Sequence, residues 1–383
     1  MVEKKRILLF TDWFTPGYKA GGPIQSCKNL VAHLENEYEF YILTSDRDIN
    51  EKMPFAGIAV NMWNMISSDI HVWYASPGSL SLNNLRHLIG SVDPDIVYLN
   101  SMFSKSFTLL PLLALKRIRF EGRVVLAPRG MLHSGALQQK GLKKKLFLQI
   151  FRLTGWPRKL QFHATDEQEL KDIKSFFPTA NVKMAPNIPN VDNSSLSFPV
   201  KQKDELKAIF VSRIHPKKNL HFLLELFREL KPAQKLTFDI YGVFDDEAYT
   251  SQCKKLASAL PDNILINFHG PLASRDVLVT LKKSHVFMLP TLGENFGHAI
   301  FESLTAGRPV LISDQTPWRD LTVAKAGWDL PVANKQAYSN VIEQLLNMEQ
   351  EEFNVWANGA KNHSVEYLAK QDYFSTYSKL FNE

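Results

Sequence analysis

Short, continuous apolar runs recur along this chain, each followed by a longer segment with helical spacing. Ile7-Leu8-Leu9-Phe10, Ile96-Val97-Tyr98-Leu99 and Val286-Phe287-Met288-Leu289 are such runs. Strands with one wet face alternate apolar and polar residues; unbroken runs of this length indicate strands buried on both faces, as in a parallel sheet covered by helices. Parallel neighbours need a crossover, usually helical, so the alternation predicts an α/β chain. In the first half it places strands at 6–10, 39–44, 71–74, 96–99, 123–127, 160–164 and 182–185, with helices near 23–34, 82–90, 107–119, 136–153 and 166–176. The second half repeats the plan with strands at 207–212, 237–241, 264–268, 285–289 and 309–312.

With 383 residues, the chain exceeds one ordinary core and fits two domains. The polar stretch 190–205 lacks periodicity and marks the boundary. This predicts a first domain at 1–190, a linker at 191–205, a second domain at 206–368 and a closing helical segment at 369–383. Charged residues make up 22% and apolar residues 45%, which excludes a disordered chain. Cys27 and Cys253 lie far apart, as suits a reduced, cytoplasmic protein. The first apolar run closes at Asp12, so no signal peptide is read there, and no segment approaches the ~20 apolar residues of a membrane span.

The chemistry concentrates in residues 285–313, which read as strand, loop, helix and strand. Glu294 falls in the loop at the carboxyl end of a strand, where open α/β sheets bind ligands. Glu302 falls on the next helix, which Gly307 and Pro309 terminate. The amino end of that helix suits a phosphate, since free N–H groups and the helix dipole converge there. A carboxylate on each side of an anion site suits a ligand with hydroxyls at both ends and phosphates between, the shape of a nucleotide-sugar. Arg213 and Lys218 follow the first strand of the second half, at a carboxyl end where open α/β sheets bind ligands. After the first strand stands Gly21-Gly22-Pro23 rather than a Gly-x-Gly-x-x-Gly turn, which argues against a nicotinamide dehydrogenase. Asp245-Asp246 is the one acidic pair worth weighing as a metal site; with no third ligand nearby it reads as a solvated turn, and no metal or other cofactor is expected.

Glu294, seven residues, then Glu302 resembles the E-x7-E motif of retaining family-four glycosyltransferases, and Arg213-x4-Lys218 resembles the family's diphosphate grip. The Gly21-Gly22 turn, Pro186-Asn187-Ile188-Pro189 and Asp314-Gln315-Thr316-Pro317-Trp318-Arg319-Asp320 also fall in family order. The resemblance implies the GT-B architecture, two Rossmann-like parallel-sheet domains facing each other across a cleft, with the last helix crossing back to the first domain. It implies a nucleoside-diphosphate sugar as donor and transfer to an acceptor hydroxyl with retained configuration. Arg213, Lys218 and Glu294 would act at the reacting centre, with Glu294 on the sugar hydroxyls. Asn295, Phe296 and Gly297 would offer backbone N–H groups to phosphate and sugar, and Glu302 would hold the ribose. Gly21, Gly22, Arg129 and His133 would serve the acceptor side. At Pro128-Arg129-Gly130 the chain departs from relatives that carry a histidine there, leaving Arg129 or His133 to replace it. A sugar-nucleotide epimerase or hydrolase, or a non-catalytic nucleotide-sugar-binding subunit, remains open.

Net charge is +6, and seven cations lie within residues 140–159, interleaved with Phe147, Leu148, Ile150, Phe151, Leu153 and Trp156. That is the pattern of a helix lying on an anionic membrane surface, or equally of a core-packed helix with a wet lysine face. Nucleic acid is the poorer partner, since no nucleic-acid module accompanies the charge. Together with the resemblance, the basic segment predicts bacterial surface-polysaccharide synthesis with a glycan or lipid-linked acceptor, in a cytoplasmic protein peripheral to the inner face of the cell membrane.

Overall fold

A computed structural model describes residues 4–133, 137, 141–191, 195–196 and 198–383. The chain divides into two compact units, one running up to Ile188 and including Asp372–Glu383, the other Pro189–Gln371.

The first unit holds eight strands: β1 (Lys5–Phe10), β2 (Tyr38–Ser45), β3 (Trp63–Ser67), β4 (Ile70–Ala75), β5 (Ile96–Leu99), β6 (Arg123–Leu126), β7 (Gln161–Ala164) and β8 (Asn181–Met184). Their order is β3-β4-β2-β1-β5-β6-β7-β8, parallel throughout except at β3–β4. Of that hairpin only β3 is absent from the sequence-based strands: Met65 and Ile66 are exposed, so β3 carries no buried apolar run. Leu8, Phe10, Val97, Leu99, Leu126 and Phe162 supply the fully buried centre, as expected of strands covered on both faces. The closing helix Tyr373–Asn382 belongs to this unit. Phe381 packs edge-on to Tyr98, Tyr377 packs edge-on to His163, and the Tyr377 hydroxyl donates to the Pro186 carbonyl at 3.0 Å.

The second unit is a six-stranded parallel sheet of β9 (Glu205–Val211), β10 (Lys235–Tyr241), β11 (Ile264–Gly270), β12 (Val286–Leu289), β13 (Val310–Ser313) and β14 (Gly327–Leu330). The order β11-β10-β9-β12-β13-β14 reverses direction between β9 and β12, which makes their carboxyl ends the topological switch point. In the first unit the same reversal falls between β1 and β5. Residues ahead of β9 pack on the second unit: Lys201 is buried and donates to the Gln202 and Met348 carbonyls at 2.7 Å each, and the Val200 carbonyl accepts from His285 at 2.9 Å.

Each unit buries a neutral histidine. His163 Nε2 donates to the Ala185 carbonyl at 2.7 Å while Nδ1 accepts from the Tyr98 hydroxyl at 2.8 Å; burial, aided by the Arg129 charge, lowers its pKa to about 3. His285 Nδ1 accepts from the Lys207 amide at 3.0 Å, and burial lowers its pKa to about 4. Both folded values lie below the unfolded one, so the unfolded chain binds more protons in acid, and stability falls as pH drops from about 6.5 toward 4. For His285 alone the full effect is on the order of 3 kcal/mol. Melting temperature followed from pH 7 to 4.5 should fall, less steeply in His285→Asn; parallel pH profiles for the two proteins would contradict the assignment.

Candidate active site

Two loops meet at the switch point of the second sheet. The first leaves β9 through Ser212 and Arg213 and closes with a single 3-10 turn, Pro216–Lys218, whose start is fixed by His215 Nδ1 accepting from the Lys217 amide at 3.1 Å. The second leaves β12 at Pro290 and runs to Gly297. The Lys217 carbonyl accepts from the Leu292 amide at 2.8 Å and from Thr291 Oγ1 at 3.2 Å, which binds the loops into one assembly. The Glu294 amide donates to the Gln315 carbonyl at 2.9 Å, adding the segment after β13. Lys218 Nζ lies against Glu294 Oε1, with both side chains mostly buried.

Gly297 ends the second loop with φ +79°, a left-handed conformation that favours glycine at the entry to helix His298–Thr305. Among the described residues, the Phe296 and Gly297 amides donate to no protein acceptor. Glu302, on the helix behind them, is buried. The Phe296 carbonyl accepts from Trp318 Nε1 at 2.6 Å, and Trp318 packs on Phe296 and Tyr367. Trp318 thus anchors the loop that carries these amides, a positioning role that the spacing of residues 314–320 did not disclose.

Asp245 and Asp246 do not form the solvated turn that the sequence suggests. Asp245 Oδ2 accepts from Arg213 NH1 at 2.7 Å, and Asp246 caps helix Glu247–Ser258 by accepting from the Tyr249 amide at 2.9 Å. Each carboxylate has its own partner, which the sequence could not reveal because Arg213 stands on a different loop. Among the described residues no group of three or more His, Cys, Asp or Glu could hold a metal ion. Burial first, then the Arg213 charge, lowers the His215 pKa from its ordinary value, against the opposing pull of Asp245 and Asp246.

The four residues expected on the acceptor side lie in the first unit. Gly21 has φ +69°, and Gly22 opens helix Gly22–Leu34 just after β1. The approach to this turn is held by Asp48, which accepts from the Tyr18 and Lys19 amides at 2.7 and 2.9 Å. Arg129, in left-handed backbone after β6, spends its guanidinium inside the unit: it donates to Asn100 Oδ1 and Asn187 Oδ1 at 2.6 Å each and to the Tyr98 hydroxyl at 2.8 Å. His133 Nδ1 lies against the Asp172 carboxylate. Asp12, at the carboxyl end of β1, accepts from Ser104 Oγ at 2.7 Å, and burial raises its pKa. Asp12 and Asn100 are polar residues at these strand ends that motif spacing alone did not single out.

Of the basic segment, Lys140 lies outside the described residues. In helix Gly141–Leu153, Leu148 and Phe151 are buried and Phe147 is half-buried, stacked on Phe151 and edge-on to Phe103. Phe147 and Phe151 therefore pack against the core, as the core-packed reading of this segment has it. The opposite face exposes Leu146, Ile150 and Leu153, one helical stripe flanked by Lys143, Lys145 and Arg152. Among the described residues no helix is long and apolar enough to cross a membrane.

Residues 193–363 match the family model described as "Glycosyl transferases group 1". No curated protein matches the sequence. Similar solved structures include a sucrose-phosphate synthase from Thermosynechococcus elongatus, with TM-score 0.73, 16% identity and 99% of each chain covered. Anabaena HepE, solved in complex with UDP and glucose, aligns with TM-score 0.69 and 13% identity over 98% of each chain. WaaG, a glycosyltransferase involved in lipopolysaccharide biosynthesis, aligns with TM-score 0.65 and 12% identity over 98% of each chain. The chain has the GT-B fold, built from two parallel-sheet α/β units. The family match covers most of the second unit.

Proposed function

We propose that this protein is a retaining glycosyltransferase whose second unit holds a nucleoside-diphosphate sugar. The observation that carries the reading is the meeting of Arg213, Lys218 and Glu294 at one switch point with the unpaired Phe296 and Gly297 amides, ahead of the helix bearing buried Glu302. Arg213, Lys218 and those amides receive the diphosphate, with the Asn295 amide beside them. Glu302 accepts from the ribose hydroxyls and Glu294 from hydroxyls of the transferred sugar. As the bond from the anomeric carbon to the phosphate oxygen breaks, negative charge grows on the diphosphate between the fixed cations, where it is stabilised more than in the ground state. The acceptor oxygen forms the new bond on the face the diphosphate leaves, and its proton passes to a phosphate oxygen. No metal takes part, since the cations supply the positive potential.

The acceptor is a glycan hydroxyl in bacterial surface-polysaccharide synthesis. WaaG's involvement in lipopolysaccharide biosynthesis supports that setting. Residues around Gly21, Gly22, Arg129 and His133 form the acceptor side; Arg129 acts there through Asn100 and Asn187, which it orients. Incubation with a panel of nucleoside-diphosphate sugars in excess EDTA, with and without a glycan acceptor, tests the reading. Acceptor-dependent release of nucleoside diphosphate, with an unchanged anomeric configuration by NMR, is expected. Inversion, or activity only with added divalent metal, would overturn the mechanism.

The stripe Leu146, Ile150 and Leu153 with its flanking cations rests on an anionic membrane surface, which brings a lipid-linked acceptor within reach. Each cation near such a surface contributes about 1 kcal/mol. The protein should sediment with vesicles containing anionic lipid and release at high salt, and Lys143→Glu with Lys145→Glu should abolish this while sparing nucleotide binding. Absence of sedimentation, or equal sedimentation with neutral vesicles, would leave a soluble glycan as the acceptor.

A further inference from the structure

Asp245 has no place in the chemistry above, yet it is the hydrogen-bond partner of Arg213: among the described residues the guanidinium makes no other hydrogen bond. The two sides of the pair differ in freedom. The Arg213 side chain is 41% exposed and the Asp245 side chain 17%. Asp245 also stands on backbone tethered on both sides. Ahead of it, the Val243 carbonyl accepts from the Ile214 amide at 2.8 Å and the Gly242 amide donates to the Gly270 carbonyl at 2.7 Å. Behind it, Asp246 is committed to capping the next helix. The carboxylate is fixed, while the long arginine side chain can turn.

We propose that Asp245 is a built-in counter-ion for Arg213 that a nucleoside diphosphate must displace, so that it weakens the hold on the spent diphosphate and speeds its release. The inference rests on the reading that Arg213 meets the donor diphosphate. Carboxylate and diphosphate compete for one partly exposed guanidinium, so added salt weakens the competition. When Arg213 turns to the phosphate, Asp245 is left without its partner, which raises the free energy of the bound state. The penalty is unequal between donor and product. A free nucleoside diphosphate ends in a phosphate with a second ionisation near pH 6, so at neutral pH it carries about one more negative charge than the sugar-linked donor. A fixed carboxylate nearby therefore repels product more than donor.

The probe is whichever of UDP, GDP, ADP and dTDP wild type binds most tightly, titrated calorimetrically into wild type, Asp245→Asn, Arg213→Gln and the double variant, with the matching nucleotide-sugar in parallel. Asp245→Asn should bind the nucleoside diphosphate about tenfold more tightly, equal to about 1.4 kcal/mol. The gain should be smaller for the nucleotide-sugar, smaller again in the Arg213→Gln background, and reduced at high salt. Asp245→Ser, which also removes the charge, serves where the asparagine variant melts early. If Arg213→Gln weakens binding but neither Asp245 variant tightens it, the counter-ion role is overturned while the diphosphate site stands. If Arg213→Gln binds like wild type, the diphosphate reading itself fails, and this inference with it.

Discussion

Replacing Lys218 with alanine is expected to lower the rate of sugar transfer by roughly 10²–10³-fold, the effect of losing one fixed donor at a site of developing negative charge. Arg213→Ala should do the same. The expected rate loss is similar, but the stability consequences differ. The Lys218 and Glu294 side chains are both mostly buried, so Lys218→Ala strands a carboxylate and should lower the melting temperature as well. Arg213 is more exposed, so its loss should be milder for the fold. Transfer should therefore be compared well below each variant's transition, and a partial return of stability, without activity, is expected in Lys218→Ala combined with Glu294→Gln. Normal kcat/KM in both single variants would remove the diphosphate from this loop.

Gly242→Ala is expected to destabilise the protein by about 3 kcal/mol, at the upper end for overpacking, and to abolish tight donor binding. A Cβ at this position would sit 1.8 Å from the Ser212 carbonyl oxygen and 3.3 Å from the Arg213 amide nitrogen, and both obstacles are backbone. Relief requires moving either the end of β10 or the loop bearing Arg213, and each is tied: Ser212 donates its amide to the Tyr241 carbonyl at 3.0 Å, and Gly242 donates to Gly270 at 2.7 Å. The close approach that only glycine allows is what sets Asp245 opposite Arg213. Gly90→Ala is the matched control: an added Cβ there meets nothing within 4 Å inside helix Leu82–Val92, so it should leave stability unchanged or raised by up to about 1 kcal/mol. Chemical denaturation of both variants reads the difference, and a Gly242→Ala protein as stable as wild type would contradict the packing described here.

The fold was legible because buried parallel strands leave an unambiguous trace. The run at 96–99 is a strand with those bounds, and the others shift by a residue or two. β3 and β14 left no such trace. Trp63–Ser67 pairs antiparallel at the sheet edge with Met65 and Ile66 in water, and Gly327–Leu330 is four residues long and includes Asp329. At the site, order along the chain suffices to bring Arg213, Lys218 and Glu294 together, since the loops after β9 and β12 must meet at a switch point. What spacing cannot convey is who pairs with whom. Asp245 reads as a turn until Arg213, 32 residues away, is seen to hold it. Arg129 reads as a free cation until Asn100, Asn187 and Tyr98 are found around it. Helix Gly141–Leu153 reads as basic and aromatic, but which of its faces is buried depends on Phe103, well before it in sequence, and on Phe177 beyond it.

The measurement that bears most directly on nucleotide-sugar binding by the second unit is a thermal-shift panel of nucleoside-diphosphate sugars against wild type and Glu302→Gln. A donor at about 100 times its dissociation constant stabilises the protein by about 2.7 kcal/mol. At least one donor should raise the melting temperature of wild type, and its nucleoside diphosphate should do so too. Measured against its own ligand-free melting temperature, Glu302→Gln should lose most of the shift for both ligands, because the ribose loses a charged acceptor. A panel in which no nucleotide-sugar shifts wild type, or in which Glu302→Gln responds to both ligands as wild type does, would contradict a nucleotide-sugar held between Arg213, Lys218 and Glu302.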